Sequence, residues 1–142
     1  MSSTGAARLR AATILATLLG AGVAGYLTYV HYAELEPLCV GGGDGCERVQ
    51  SSDQSELLGV PVAVVGLANY LVIAACLLPA GRRLHPVAAG LALAGFGFSL
   101  YLTYVELFVI DAICQWCLAN AVIATVLAAL TVALVAVEPV EP

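Results

Sequence analysis

A chain of 142 residues that is 61% hydrophobic and only 11% charged has too little polar surface to cover itself in water, which excludes an ordinary soluble domain. Its length leaves room for one domain and none for a separate soluble module. The five basic residues are all arginine and stand against ten acidic ones, for a net charge of -5, which excludes the basic stripe of a nucleic-acid binder.

Four segments are predicted to span a bilayer, at residues 11–32, 59–79, 85–110 and 112–137, each near the ~20 apolar residues that a helix needs to cross hydrocarbon. The first follows Arg8 and Arg10, as a signal peptide would. Its apolar run continues through Val30 without a convincing cleavage site and outlasts the ~7–15-residue core of such a peptide, so it reads as a spanning helix. It closes on Tyr26-Leu27-Thr28-Tyr29-Val30-His31.

Residues 33–58 form the one long connection, and loops of that length within a small domain tend to be functional. Cys39 and Cys46 flank Gly41-Gly42-Gly43-Asp44-Gly45, a run that bends freely enough for a Cys39–Cys46 disulfide to close and reopen. Two readings stand here, a disulfide that merely ties down a slack hairpin and a redox-active pair. Ser51-x-x-Gln54 and Ser52-x-x-Ser55 both look like the start of a short helix, in which a serine caps N–H groups.

The second segment carries Cys76 at mid-helix, where a buried free cysteine behaves as a small apolar residue. Arg82 and Arg83 follow it. The third holds Tyr101-Leu102-Thr103-Tyr104-Val105-Glu106, an echo of the motif that ends the first, and Cys114 follows Tyr101 at the interval by which Cys39 follows Tyr26. Leu67-Ala68-Asn69 likewise recurs as Leu118-Ala119-Asn120. This predicts a parallel repeat about an axis along the membrane normal, with chance similarity in an Ala/Leu-rich chain as the competing account, and the tyrosines also read as an interfacial aromatic belt. Gly20, Gly25, Gly90, Gly95 and Gly97 permit close helix approach.

Cys114-Gln115-Trp116-Cys117 stands at the mouth of the last segment. Asp111 is the expected N-cap, with Ala112, Ile113 and Cys114 in the first turn and Cys117 one turn on. Both sulfurs then share a helix face, with Cys114 nearer water and Cys117 nearer lipid. Unpaired N–H groups at the helix start favour thiolate, while Asp111 opposes it. A dithiol there suits electron exchange between a water-side protein thiol and a lipid-soluble carrier.

Four of the five arginines fall on one side, which the positive-inside rule makes cytoplasmic together with both termini. Cys39, Cys46, Cys114 and Cys117 then face the opposite, extracytoplasmic side of a plasma or bacterial inner membrane, where disulfides persist. The predicted fold is an all-α membrane protein, a four-transmembrane-helix bundle with a long extracytoplasmic loop between helices 1 and 2.

A C-x-x-C pair alone is ambiguous between a thioredoxin-like site and half of a zinc site. No strand pattern supports the first, and the glycine-rich spacer between Cys39 and Cys46 is too long for the usual zinc knuckle. A transporter is disfavoured, since no ionisable residue lies at mid-membrane and Glu106, the nearest, is expected near the outer interface. Two outward cysteine pairs on one bundle are the specific signal.

Those residues resemble the vitamin K epoxide reductase family in its bacterial, disulfide-forming branch. The resemblance covers almost the whole chain: the Tyr26–His31 motif, Cys39 and Cys46, Cys46-Glu47-Arg48-Val49 followed by Ser51-Ser52, Gly59-Val60-Pro61, Tyr101-Leu102 and the C-x-x-C. It implies a thiol:quinone oxidoreductase in which Cys117 meets the quinone (menaquinone or ubiquinone), Cys114 is its disulfide partner, Cys39 and Cys46 shuttle electrons inward, and Ser52 is the family's quinone-side serine. It also implies a thioredoxin-like thiol oxidase as partner, expected to be a separate protein because this chain carries no fused thioredoxin-like domain. Which loop cysteine meets that partner is left open. The amide and tyrosine that the animal enzymes offer to their substrate align with Val62 and Ala121, so quinone reduction fits better than epoxide reduction. The competing reading is a small non-enzymatic membrane protein whose extracytoplasmic cysteines form structural disulfides.

Overall fold

The computed structural model describes residues 2–78 and 82–140. Its long helices are α1 (Ser3–Tyr32), α3 (Val62–Leu77), α4 (His85–Val105) and α5 (Gln115–Val137); a short helix, α2 (Gly45–Gln50), lies in the connection between α1 and α3. α1 packs chiefly on α3 and α5, and α4 on the same two, closing a ring of four. Ile73, Leu77, Leu127 and Leu134 fill its axis, and Ala16, Ala24, Ala88 and Ala92 let the backbones approach. Leucines such as Leu15, Leu18 and Leu100 point outward and remain exposed, as lipid-facing residues do.

Helix suits continuous apolar runs of this length in hydrocarbon, because it gives every N–H and C=O a partner within its own segment. The threonines obey the same constraint: Thr13 Oγ1 donates to Leu9 O, Thr17 Oγ1 to Thr13 O and Thr103 Oγ1 to Ser99 O, each at 2.8 Å. Among the described residues, three helical stretches are long and apolar enough to cross a membrane, Ser3–Tyr32, Arg82–Ile110 and Gln115–Val137. The second predicted span is the exception. α3 has 16 residues, a rise of ~24 Å against ~30 Å of hydrocarbon.

The predicted boundaries shift for local reasons. α1 begins at Ser3 rather than residue 11, because Ser2 caps it by accepting from Gly5 N at 3.3 Å. α3 begins at Val62 rather than 59, because the chain first makes a hairpin absent from the sequence reading: Glu56–Leu57 pairs antiparallel with Val60–Pro61. The predicted end at Pro79 lies outside the described residues. α5 begins at Gln115 rather than 112; residues 112–114 lead into it without regular structure, and Cys114 is extended.

The two ends of the bundle differ. At one, Arg10 Nη2 donates to Leu77 O at 2.6 Å, closing the last turn of α3, and His85 at the head of α4 lies 3.5 Å from Glu138 at the tail of α5. At the other end lie the finish of α1, the start of α3, the start of α5 and four of the five cysteines. The fifth, Cys76, is buried in the core beside Ile73 and Leu77.

Candidate functional site

The cysteine end is built around one buried cluster of Cys46, Val49, Ala112 and Cys114, with Cys39, Trp116 and Cys117 packed on it. Cys39 and Cys46 are joined by a disulfide, whereas Cys114 and Cys117 are free thiols. Gly41 and Gly42 both take positive φ, so the turn inside this ring uses the conformations that glycine alone reaches without strain. The chain then enters α2, whose first turn carries Cys46 inward to 1% exposure. Gly45 is what brings it so close: a Cβ there would collide with the backbone oxygen of Ile113, next to Cys114.

The approach to Cys114 differs from the expected helix start. After α4 the helix widens into a π turn over Glu106–Ile110, and Asp111 ends it in the left-handed region at φ 54°. Asp111 is therefore a helix terminator and not the N-cap of α5. Its left-handed turn redirects the chain, and Ala112, Ile113 and Cys114 form a non-helical strap instead of a first turn. Glu106 holds that strap at both levels: its carbonyl accepts Ala112 N at 3.1 Å, and its side-chain Oε2 accepts Cys114 N at 3.2 Å. Cys114 takes the N-cap position of α5, Leu118 N donates to its carbonyl at 3.0 Å, and Cys117 falls in the first turn.

Burial separates the two sulfurs. Cys114 is 0% exposed because α2 lies over it, while Cys117 is only partly buried and borders a cavity between the helices. The hydrogen bond from the Cys117 thiol, aided by the Gln50 amide and by N–H groups opening α5, pulls the Cys114 thiol down to about 7 against the opposing effect of burial. Gln50 Nε2 stands 3.5 Å from Cys117 Sγ and 4.0 Å from Cys114 Sγ, bridging the pair.

The cavity holds about 300 Å³ and is mostly apolar, with Ser52, Asn69, Tyr70, Glu106 and Asn120 as polar points on its wall. That volume is at the lower end of small-molecule sites, ~300–1,000 Å³. Tyr70 Oη donates to Asn120 Oδ1 at 2.8 Å about one turn below Cys117, and the missing Cβ of Gly20 makes room for the Tyr70 ring. Ser52 borders the same space. It occupies the N-cap position of the 3₁₀ turn Asp53–Ser55 without a side-chain cap bond; its hydroxyl instead donates to Val49 O at 2.7 Å.

A clamp holds the loop over this site. Trp116 Nε1 donates to Leu38 O at 2.6 Å, Leu38 N donates to Tyr26 Oη at 3.0 Å, and the Tyr26 and Trp116 rings lie 4.8 Å apart. Both backbone groups of the residue before Cys39 are thus tied down. In sequence Tyr26 reads as part of an aromatic belt, and neither Gln50 nor Trp116 carries a signal of its contacts here. Asn69 and Asn120 stand out in sequence only as a repeated Leu-Ala-Asn, a signal of symmetry and not of a shared cavity.

A model of the Vitamin K epoxide reductase family matches residues 11–132, a stretch that takes in both cysteine pairs and α3 and α4 entire.

Proposed function

The chain belongs to the vitamin K epoxide reductase family, whose members are membrane thiol–disulfide oxidoreductases linked to quinones, and from that premise we propose that it reoxidises a thioredoxin-like partner at the expense of a membrane quinone. The observation that carries this reading is the division of labour between the sulfurs: Cys46 and Cys114 share one buried cluster, while Cys117 borders a cavity between the helices. The cavity suits a flat apolar ring with two carbonyl oxygens, because its walls are largely apolar and its polar points include amides and hydroxyls.

The reduced partner's thiolate attacks Cys39, the more accessible sulfur of the loop disulfide, and leaves Cys46 as the departing thiol. The partner's second thiol resolves the mixed disulfide and departs oxidised. Cys46, in contact with the inner pair, then attacks Cys114 of an oxidised Cys114–Cys117 bond and frees Cys117. Re-forming the loop disulfide leaves the inner pair as two thiols. Cys117 delivers their electron pair to the quinone, the Cys114–Cys117 bond closes, and quinol leaves. One partner dithiol thus becomes a disulfide for each quinone reduced. Gln50, beside both inner sulfurs, and Ser52, on the cavity wall, orient the substrate carbonyls. Since Val62 and Ala121 offer no polar group where the animal enzymes do, quinone rather than epoxide is the substrate. By the positive-inside rule the arginine end is cytoplasmic and the cysteine end extracytoplasmic.

Anaerobic stopped-flow with a reduced thioredoxin-like partner and a soluble quinone, read by quinone absorbance, tests the assignment. Cys114→Ala and Cys117→Ala should each abolish turnover, and wild-type rates in either would refute it. Thiol trapping in quinone-starved cells separates this from purely structural disulfides: the proposed relay accumulates reduced cysteines there, whereas bracing disulfides stay oxidised.

A further inference from the structure

The proposed chemistry moves two protons with its two electrons, and one buried group beside the thiols has had no part in it. Glu106 is 6% exposed in an apolar helix, and among the described residues no cation pairs with it. Burying a lone carboxylate is costly, so a membrane helix that keeps one marks a functional position. Its place is specific. Oε2 accepts the N–H of Cys114 at 3.2 Å, the side chain also meets the Cys117 thiol, and the residue borders the cavity along with that sulfur. The π turn that begins at Glu106 is what swings this carboxylate under the strap.

Resting on the function proposed above, we infer that Glu106 is the proton relay of the thiol–quinone step, taking the Cys117 proton and handing it to a quinone oxygen in the cavity. As the Cys114–Cys117 bond forms, the two sulfurs give up two electrons and two protons; the substrate receives all four and leaves as quinol. Glu106 passes on first the proton of Cys117, then that of Cys114, and ends as it began. The ionisable groups around it are few. Cys114 faces it from the strap and Cys117 from the first turn of α5; Tyr70 of α3 opens on the same cavity but is bonded to Asn120; Arg48 of α2 lies outside the turn, with Nη2 donating to Ile110 O at 3.3 Å.

Glu106→Gln separates relay from scaffold, because the amide oxygen still accepts the Cys114 N–H but cannot take a proton. In the full-length protein, kcat for quinone reduction should fall about 100-fold or more, the scale of general acid–base catalysis, with KM for the quinone unchanged. A quinone-free readout accompanies this: the pH profile of thiol alkylation by N-ethylmaleimide in the reduced protein should show a carboxylate step in the wild type that Glu106→Gln lacks. Turnover within about threefold of wild type, well under that general acid–base scale, would overturn the relay. So would a large loss of turnover with an unchanged alkylation profile, which marks a structural role. If the wild type reduces no quinone, the function proposed above fails, and the alkylation profile alone then decides whether Glu106 and the thiols share a proton.

Discussion

Gly45→Ala is the sharpest test of how the two cysteine pairs communicate. Gly45 opens α2 with ordinary helical backbone, so alanine is tolerated there conformationally and even favours helix. Its cost is steric: the added methyl would overlap the backbone oxygen of Ile113, which cannot rotate away as a side chain could. Carbon and oxygen settle near van der Waals distance, so α2 and the strap at 112–114 must part by on the order of 1 Å. Cys46 is the next residue along and Cys114 the next on the strap, so that displacement falls on the reacting sulfurs. Misplacement of ~1 Å between reacting groups costs on the order of 100-fold in rate. The assay compares quinone reduction driven by a thioredoxin-like partner with that driven by dithiothreitol, which reaches the inner pair directly. The first should fall by about two orders of magnitude and the second stay near wild type. Gly43→Ala is the control, since a Cβ there meets nothing within 4 Å. A normal partner-driven rate in Gly45→Ala, or equal losses with both reductants, would refute the argument that this close approach sets the transfer.

Cys39→Ala and Cys46→Ala should lose partner-driven turnover yet keep the dithiothreitol reaction; equal loss would mean that the loop does more than shuttle. Cys114, drawn down to about 7 by the Cys117 hydrogen bond, should react with disulfides ever more slowly as pH falls through that value, and in Cys117→Ala the midpoint should rise toward an ordinary thiol. The same shift fixes a sign for stability: between about 7 and the usual thiol range near ~8.5 the folded reduced protein binds fewer protons than the unfolded chain, so its stability rises with pH there and that contribution is lost as pH falls through 7. Thermal unfolding of the reduced protein across that range checks it. Tyr70→Phe removes the donor to Asn120 Oδ1 in an apolar cavity and should cost about 1–3 kcal/mol, read as a lowered unfolding temperature in detergent. No change would mean that the bond contributes nothing to the bundle.

Composition together with the length of the apolar runs pointed to a helical membrane protein, because a continuous run of ~20 apolar residues spans lipid by pairing its backbone within itself, whereas a barrel strand alternates polar and apolar. The motifs around Tyr26, Cys39, Cys46 and Cys114 were enough to identify the family, since cysteine spacing and turn residues are local properties that survive in one dimension. Where Cys114 lies was not legible. Its position depends on a π turn and a left-handed Asp111, and a π turn differs from an α-helix by a single misaligned hydrogen bond that no apolar periodicity reports. Nor was Glu106, which reads as an interfacial charge until the chain folds back and sets Cys114 N against it. The sequence by itself determined which chemistry-bearing residues exist and the solvent they live in. Only the tertiary structure decided which sulfur is sealed beneath α2 and which one opens on the cavity, because that depends on the approach of segments about 70 residues apart, such as Gly45 and Ile113, whose fit depends on a missing methyl group.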